Sequence, residues 1–464
     1  MNSRRLFIAS CMALVASAFS FVIRQDILQA LRQTFNLSQA QSGLIGSAAF
    51  FGMAFTMLVG APLCDSFGMK RMLALAWISH LVGTILTIAA PWIASEQTAY
   101  PILLASTFLV GGANGLVEIG INPLAATLYP TKKTHMLNML HAWWPGGLML
   151  GGLIAFAITK ALGLDVETIS REAMISGWQI KMCLILIPTV LYGLMFVVQK
   201  LPVTERVASG ISNADMFREA LRPMFLLWAF CMLLTAATEL GPQSWQESVL
   251  RRTAGISGTL ILVYTSSLMF IFRHFAGAIA HKLSPVGMLV GSSILSAIGL
   301  FSLSYAFNFL TAFLSATIFG LGIVFFWPTM LGVTAERFPK GGAFLLGIMG
   351  CVGNLAVAAN SYVIGGIYDN YTLQNLDASV RDKVVTGSKI DEDKLNALAK
   401  DERKKVDSAI EDARDKGARM PFRYVSILPT CLVLIFSAIV LYDRSRGGYK
   451  PEEIRAEAAL ASDY

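Results

Sequence analysis

Long apolar stretches alternate with short polar segments along almost the whole chain. A span through a bilayer needs about 20 apolar residues, and it is expected to be helical because a chain in lipid must satisfy its own backbone hydrogen bonds. The pattern therefore predicts twelve transmembrane helices in two sets of six. The first set is expected near residues 6–32, 40–64, 71–94, 100–128, 135–162 and 178–200, and the second near 223–250, 257–281, 285–306, 308–336, 342–368 and 422–442.

The composition agrees with this pattern. Of the 464 residues, 55% are hydrophobic and only 14% are charged, which is too little charge to cover the surface of a soluble protein of this length. We therefore predict an all-α membrane protein with two pseudo-symmetric six-helix bundles, one at residues 1–200 and one at 223–442. A linker at 201–222 joins the bundles, a charged insert occupies 369–420, and a tail follows at 443–464.

The insert at 369–420 is rich in Lys, Asp and Glu. Its helix-forming stretches predict a short charged helical hairpin on the non-cytoplasmic side, and a solvated spacer is the simplest role for it. A receptor or scaffold that acts through this insert, without transport, is an alternative function.

Basic residues concentrate in the short loops that share a side of the membrane with both termini. Such loops contain residues 70–71 and 132–133, whereas the loops after the third and ninth spans contain no basic residue; a basic pair at 251–252 opposes the trend. Because cytoplasmic loops are enriched in Lys and Arg, we predict that both termini are cytoplasmic and that the protein is a multi-pass protein of the cell inner (cytoplasmic) membrane. The net charge of +7 then reflects these loops, and no nucleic-acid partner is expected.

The two sets of helices also resemble each other in sequence. A Gly-Leu pair precedes Pro123 by the same interval as another precedes Pro328. Repeated six-helix halves are typical of transporters whose substrate site lies between the halves near the middle of the membrane.

The sequence lacks the motifs of several other functions. It contains no Gly-Lys-Ser/Thr loop for a nucleotide phosphate, no nucleophile–base spacing and no cluster with metal-ligand spacing. We therefore expect no enzyme activity, catalytic residue, cofactor or metal site. The six cysteines are expected to be small core residues inside apolar runs: Cys11, Cys64, Cys183, Cys231, Cys351 and Cys431.

Ionisable residues inside a span are costly, so they usually face a cavity or a partner. Glu118 lies deep in the fourth span with no basic residue nearby in the sequence. A carboxylate in such a site can bind a proton from one side of the membrane and release it to the other. Asn122 lies one helical turn away on the same face and offers a donor and an acceptor to solute hydroxyls. The alternative for Glu118 is a buried structural hydrogen bond.

A second candidate for the proton is Asp26, near the outer end of the first span. Its neighbour Gln25 is a candidate contact to the substrate. The alternative for Asp26 is an ion pair with Arg24 or Arg32.

Glu239 in the seventh span precedes Gly241-Pro242, which is expected to interrupt the helix and free backbone groups to face a cavity. An acid, an amide and an aromatic ring form a plausible sugar-binding face at Glu239, Gln243 and Trp245.

His141 in the fifth span is another candidate, because histidine can bind a hydroxyl or titrate near neutral pH. The alternative for it is a hydrogen-bonded core histidine, and the alternative for Trp327 is ordinary packing. The remaining candidate substrate-binding residues are Asn138, Trp144, Trp327, Asn354 and Asn360.

The loop after the second span contains Asp65, Gly68 and the basic pair Lys70-Arg71. This loop resembles the loop signature of the major facilitator superfamily, although Ser66 stands where the family usually has Arg. Asp and basic groups at a helix junction can cap helix ends and latch two halves together. A cytoplasmic gate is therefore expected at Asp65, Lys70 and Arg71, with a second contact between Arg273 and Glu336.

Three further stretches, which begin at Asp26, Glu118 and Phe326, are similar to one branch of that superfamily, the fucose–galactose–glucose symporters. The resemblance implies proton coupling through Glu118 and a proton or sugar contact at Asp26. Trp144 stands where that branch offers an asparagine in span five, which argues against fucose itself as the substrate.

The resemblance implies proton-coupled symport (import) of a small sugar by alternating access, in which the two bundles rock around a central site. The expected partners are a sugar, a proton and the lipid bilayer, and the protein is expected to be a monomer. Sodium in place of the proton stays open. A carrier or exporter of a non-sugar solute is the main alternative, and a cavity dominated by Trp, Phe and Met with few amides would favour it.

Overall fold

Six long helices make up the first half of the protein, as the apolar pattern predicts. The computed structural model describes residues 2–164, 170–254, 258–387 and 389–454. The helices are α1 (Ser3–Thr34), α2 (Gln39–Phe67), α3 (Met69–Ile93), α4 (Glu96–Leu128), α5 (Lys133–Ala161) and α6 (Arg171–Val197).

Shorter helices occur in the rest of the chain beside the long ones. The linker contains α7 (Glu205–Ala208) and α8 (Asn213–Glu219). The second half contains α9 (Pro223–Ala254), α10 (Gly258–Arg273), α11 (Ala276–Leu283), α12 (Pro285–Leu303), α13 (Phe309–Ile323), α14 (Phe326–Arg337), a 3₁₀ turn (Pro339–Gly341) and α15 (Gly342–Gln374). The insert and last span contain α16 (Ala378–Val384), β1 (Val385–Thr386), β2 (Lys389–Ile390), α17 (Glu392–Asn396), α18 (Lys400–Ala418), α19 (Met420–Val425) and α20 (Ile427–Ser445).

Eleven helical segments within the described residues are long and apolar enough to cross a membrane. The helices α10 and α11, bent by 62° relative to each other, supply a twelfth crossing when they are counted as one broken span. The predicted all-α fold with twelve transmembrane helices is therefore confirmed. The predicted interruption at Gly241-Pro242 is wrong, because α9 continues through both residues.

The helices of each half pack mainly against one another. In the first half, α1 lies against α5 and α6, and both α2 and α3 lie against α4. In the second half, α9 lies against α15, and α12 lies against α13 and α20. The halves meet where α2 contacts α15 and where α5 contacts α10 and α14. We call the second of these contacts the α5 interface.

The two ends of the bundle differ in what covers them. One end, which we call the linker face, holds the start of α1, the linker helices and the end of α20. Phe7 packs on Tyr129 there, and Arg222 pairs with Glu452. The other end, the insert face, holds helices α16 to α18, and α18 packs against α15.

The turns after the second and eighth spans share an unusual backbone conformation. Gly68, between α2 and α3, has φ 83° and ψ 143°. Ser284, between α11 and α12, has φ 66° and ψ 159°, a backbone conformation that residues other than glycine rarely adopt. Its hydroxyl accepts a hydrogen bond from the Gly287 backbone N–H at 3.1 Å, so the serine caps the next helix. The sequence echo between the halves therefore extends to local geometry.

The insert is a small folded unit with its own core, which corrects the expectation of a simple helical hairpin. It includes an antiparallel strand pair as well as helices, with Val385 opposite Ile390. Its buried apolar side chains are Leu376, Val384, Leu395, Val406, Ile410 and Ala413. These residues are spread over the loop and helices, so the fold of the insert depends on contacts that no single stretch of it contains.

Glycines allow α2 and α4 to pack with their backbones in contact. A Cβ atom on Gly111 would overlap the backbone of Ala49, and one on Gly52 would overlap the backbone of Phe108. Small residues at a helix contact permit this approach in membrane proteins.

Gly111→Ala should therefore lower the stability of the purified protein, by about 1–3 kcal/mol, because the added methyl group must push the two helices apart. The measurement is the thermal unfolding midpoint in detergent. Gly291→Ala in α12 is the matched control, since a Cβ atom there meets no atom within 4 Å. Equal midpoints for the two variants would contradict the close packing of α2 on α4.

Candidate functional site

Glu118 lies in a buried polar group between α4 and α5. The Asn122 side-chain amide donates to Glu118 Oε2 at 2.6 Å. The Asn122 Oδ1 atom is 2.9 Å from His141 Nε2, so His141 is the donor if its proton is on Nε2. His141 Nε2 is also 3.7 Å from Glu118 Oε2. All three residues are at most 5% exposed, so the sequence candidates Glu118, Asn122 and His141 form one cluster.

Glu239 lies in a second buried polar group, in the other half of the protein. Its Oε1 atom accepts a hydrogen bond from Arg273 Nη2 at 3.1 Å, and both side chains are at most 3% exposed. Its Oε2 atom accepts from the backbone N–H of Trp327, at the start of α14, at 3.3 Å. A carboxylate at a helix N-terminus is stabilised by the N–H groups and the helix dipole.

Arg273 connects the two polar groups across the α5 interface. Its Nη1 atom donates to the backbone carbonyl of His141 at 2.7 Å, and its Nε atom donates to that of Val324 at 2.6 Å. Arg273 pairs with Glu239 instead of Glu336, so the expected latch between Arg273 and Glu336 is not formed.

Glu336 instead joins three segments at the linker face. The backbone N–H of Thr134 in α5 donates to its Oε1 atom at 2.9 Å, and the hydroxyl of Tyr449 donates to its Oε2 atom. Burial, together with the Glu336 carboxylate, raises the pKa of Tyr449 well above its usual value, so the hydroxyl remains a donor at neutral pH. Lys133 also crosses between the halves, because its Nζ atom contacts Glu205 Oε2 at 2.5 Å and the Ala335 carbonyl at 3.2 Å.

Asp65 binds the linker. Its carboxylate accepts from the Thr204 hydroxyl at 2.6 Å and from Arg206 Nε at 2.5 Å, and the Asp65 side chain is 1% exposed. Lys70 is exposed and donates to the Val197 and Gln199 carbonyls at the end of α6, while Arg71 lies 3.5 Å from the Phe67 carbonyl. Of the three expected gate residues in this loop, Asp65 holds the linker, and Lys70 and Arg71 cap helix ends.

Asp26 pairs with Lys181 of α6 at 2.5 Å, and the Asp26 side chain is 34% exposed. The alternative partners Arg24 and Arg32 lie elsewhere. Arg24 donates to Thr107 and Thr87 inside the first half, at 2.9 and 3.1 Å. Gln25 is exposed.

The remaining amide candidates are buried, and each amide nitrogen donates within the protein, whereas the buried Asn138 Oδ1 atom has no hydrogen-bond partner among the described residues. Asn138 donates to the Thr134 carbonyl and, across the α5 interface, to Thr329 at 3.2 Å. Asn354 donates to the Gly350 carbonyl at 2.8 Å, and Asn360 donates to the Ala237 carbonyl at 2.8 Å.

Aromatic side chains pack against one another beside α5. Trp144 packs on Phe21 with ring centres 5.9 Å apart, and Phe21 packs on Phe50. Trp143 meets Phe270 of the second half edge to face at 5.4 Å.

The last three candidates are two residues of α9 and Trp327 of α14. Trp327 is 8% exposed and is part of the buried core, with its ring close to Gly353. The side chains of Gln243 and Trp245 lie outside the described part of the structure.

Sequence reasoning missed two buried polar residues, Lys181 and His80. Lys181 was recognisable as a lone cation inside the apolar run of the sixth span. His80 is fully buried and bonds to Tyr192 at 2.9 Å and to Asn114 at 2.8 Å. No group of three or more potential metal ligands occurs among the described residues.

A family model described as Major Facilitator Superfamily matches residues 6–360. The match covers well over half of the chain, so the chain belongs to the Major Facilitator Superfamily. The relatives and solved structures to which this chain is similar are transporters, not enzymes.

Several relatives are similar in sequence over part of their length. The cis,cis-muconate transport protein of Acinetobacter baylyi is 25% identical over 293 residues, which are 60% of this chain and 66% of that protein. The gentisate transporter of Corynebacterium glutamicum is 26% identical over 55% of each chain. The L-fucose-proton symporter of Escherichia coli is 26% identical over 30% of each chain. The matches thus span less than two thirds of each relative.

Solved structures of sugar symporters share the fold over nearly the whole chain. The transporter FucP in its outward conformation has a TM-score of 0.67 at 15% identity, and the match covers 92% of this chain and 98% of that one. The proton:xylose symporter XylE has a TM-score of 0.70 at 14% identity, with 94% and 96% covered. At these identities the likeness shows the fold alone.

Asp65→Asn should destabilise the purified protein by about 3 kcal/mol, because it leaves the buried Arg206 guanidinium without its charge partner. The measurement is thermal unfolding in detergent. Arg218→Ala is the control, since Arg218 and its partner Asp215 are exposed and such surface pairs contribute little. An unchanged unfolding midpoint in Asp65→Asn would show that the linker is not held by this pair.

Proposed function

We propose that the protein is a proton-coupled symporter in which Glu118 binds and releases the proton. The observation that supports this proposal is the environment of Glu118, which is 5% exposed in α4 and bound by the Asn122 amide. An amide can donate to a carboxylate and accept from a protonated carboxyl group. A flip of the Asn122 amide would turn its oxygen toward a protonated Glu118 and its nitrogen toward His141 Nε2, which can accept when its proton is on Nδ1.

The other two carboxylates in spans have cationic partners. Glu239 pairs with Arg273, and Asp26 pairs with Lys181. Protonation of Glu239 would leave a buried cation without its partner, which is strongly unfavourable. Asp26 is partly exposed, so we keep it as a second candidate for the proton.

The proposed direction is import across a cytoplasmic membrane. The basic loops support a cytoplasmic location for the linker face, where bonds from Lys133 and Thr134 to the second half hold the bundles together. In this arrangement solute and proton load from the opposite side, the bundles rock, and both leave at the linker face. The protein is proposed to work as a monomer.

We propose a small sugar as the first candidate substrate. The fold is shared with the sugar symporters FucP and XylE, and the L-fucose-proton symporter is similar in sequence over part of the chain. The cluster of Glu118, Asn122 and His141 carries donors and acceptors of the kind that hydroxyl groups need, and a bound sugar would replace bonds that these side chains now make to one another.

A small unsaturated or aromatic acid is the second candidate. Two observations favour it: the amide nitrogens of Asn138, Asn354 and Asn360 already donate within the protein, and aromatic rings at Phe21 and Trp144 pack beside α5. The relatives named for muconate and gentisate transport support the same class.

Glu118→Gln should abolish uptake against a concentration gradient in proteoliposomes, because glutamine cannot carry the proton. Exchange of labelled for unlabelled substrate across the membrane should persist, since it needs no net proton movement. Asp26→Asn serves as the comparison and should retain some accumulation. Full accumulation driven by a proton gradient in Glu118→Gln would remove the centre of the proposal.

A panel of labelled hexoses, muconate, gentisate and nicotinate should identify the substrate class. We expect one class to accumulate under an inward proton gradient and not under a sodium gradient of equal size. Accumulation of acids alone would replace the sugar assignment, and accumulation under sodium alone would replace the proton.

A further inference from the structure

Two prolines leave backbone carbonyls without their helical donors at the α5 interface. In an α-helix the carbonyl of one residue accepts from the N–H four residues later, and proline has no N–H. Pro145 therefore cannot bond to the His141 carbonyl in α5. In the same way Pro328 cannot bond to the Val324 carbonyl, which lies between α13 and α14.

Arg273 bonds to both of these carbonyls. Its Nη1 atom donates to His141 at 2.7 Å and its Nε atom to Val324 at 2.6 Å, while Nη2 donates to Glu239 at 3.1 Å. The guanidinium is thus bound through all three nitrogens in a side chain that is 2% exposed. Arg273 is also the last residue of α10, directly before the bend to α11.

The three bonds differ in which half they reach. Val324 and Glu239 belong to the same half as Arg273, whereas His141 belongs to the other half. Separation of the halves at the linker face would break the bond to His141 and leave the other two intact. It would also leave the His141 carbonyl without its Arg273 donor and, because Pro145 has no N–H, without a helical donor until water replaces them, which is costly.

We propose that Arg273 is a positioning residue that stabilises the state in which the two halves are closed at the linker face. It does so by donating to the His141 carbonyl, which Pro145 leaves without a helical donor. This inference rests on the proposed alternating access. His141 also belongs, through its side chain, to the cluster around Glu118. The same residue therefore contacts both the proposed proton site and the bond that joins the halves.

Pro145→Ala tests the proposal, because alanine restores an N–H that can bond to His141 and so makes Arg273 dispensable there. The full-length protein carries Ala335→Cys as a reporter, since Ala335 is buried where Lys133 crosses between the halves. The exposed Cys183 and Cys431 are replaced by serine. A water-soluble maleimide should label the thiol introduced by Ala335→Cys roughly tenfold faster in Pro145→Ala than in the parent chain. This is the factor expected for the loss of one hydrogen bond to a charged group.

Pro328→Ala is the matched control. It restores a donor to the Val324 carbonyl, within a single half, so labelling should stay near the rate of the parent chain. Equal acceleration in both variants, or none in Pro145→Ala, would overturn the proposal. Thermal unfolding midpoints verify that each variant is folded.

Arg273→Lys separates the bond from simple straightening of α5. Lysine keeps the charge beside Glu239 but cannot reach three acceptors with a planar fork. In an Arg273→Lys background, Pro145→Ala should add little further labelling; a full additional tenfold increase would mean that the helix, and not the bond, controls opening. The assay uses no substrate or proton gradient, so its failure is distinguishable from failure of the symport proposal.

Discussion

The side chain of Arg273 bonds at once to α5, to the break between α13 and α14, and to Glu239. Its guanidinium supplies donors to two carbonyls that prolines have left without helical partners. A bundle in lipid has no water to satisfy such groups, so a broken helix needs a partner from a neighbouring helix. The contact between the halves at α5 is built around that requirement.

The carboxylates of the two halves are held in opposite ways. Glu239 is fixed by a guanidinium and by the start of α14, which favours a permanent charge. Glu118 is bound by an amide and lies near an imidazole, groups that tolerate both the charged and the neutral carboxyl. One half thus contributes a structural ion pair and the other a group suited to change its charge, although both carboxylates are equally buried.

The sequence predicts the twelve helices well because each span is a local property, an apolar run of sufficient length. Partners across helices are not local. This is why Arg273 was assigned to Glu336, and why the alternative for Asp26 named a neighbouring arginine instead of Lys181 of α6. The interruption of α9 was wrongly expected, since a helix in a membrane protein can continue through a proline when neighbouring groups support it. The core of the insert combines residues from 376 to 413, which no local pattern reveals.

The proposed proton site at Glu118 and the bond between Arg273 and His141 have one residue in common. His141 reaches Asn122 with its imidazole and Arg273 with its carbonyl, so one residue of α5 takes part in both. In the proposed mechanism, a change of charge on Glu118 alters the bonding of Asn122 and His141 directly. No chain of intermediate residues is then needed between protonation and release, because the element with two arrangements, the Arg273–His141 bond, starts at the same residue. This short connection would also make coupling sensitive to the rotation of α5 at Pro145, where the helix lacks one of its own hydrogen bonds.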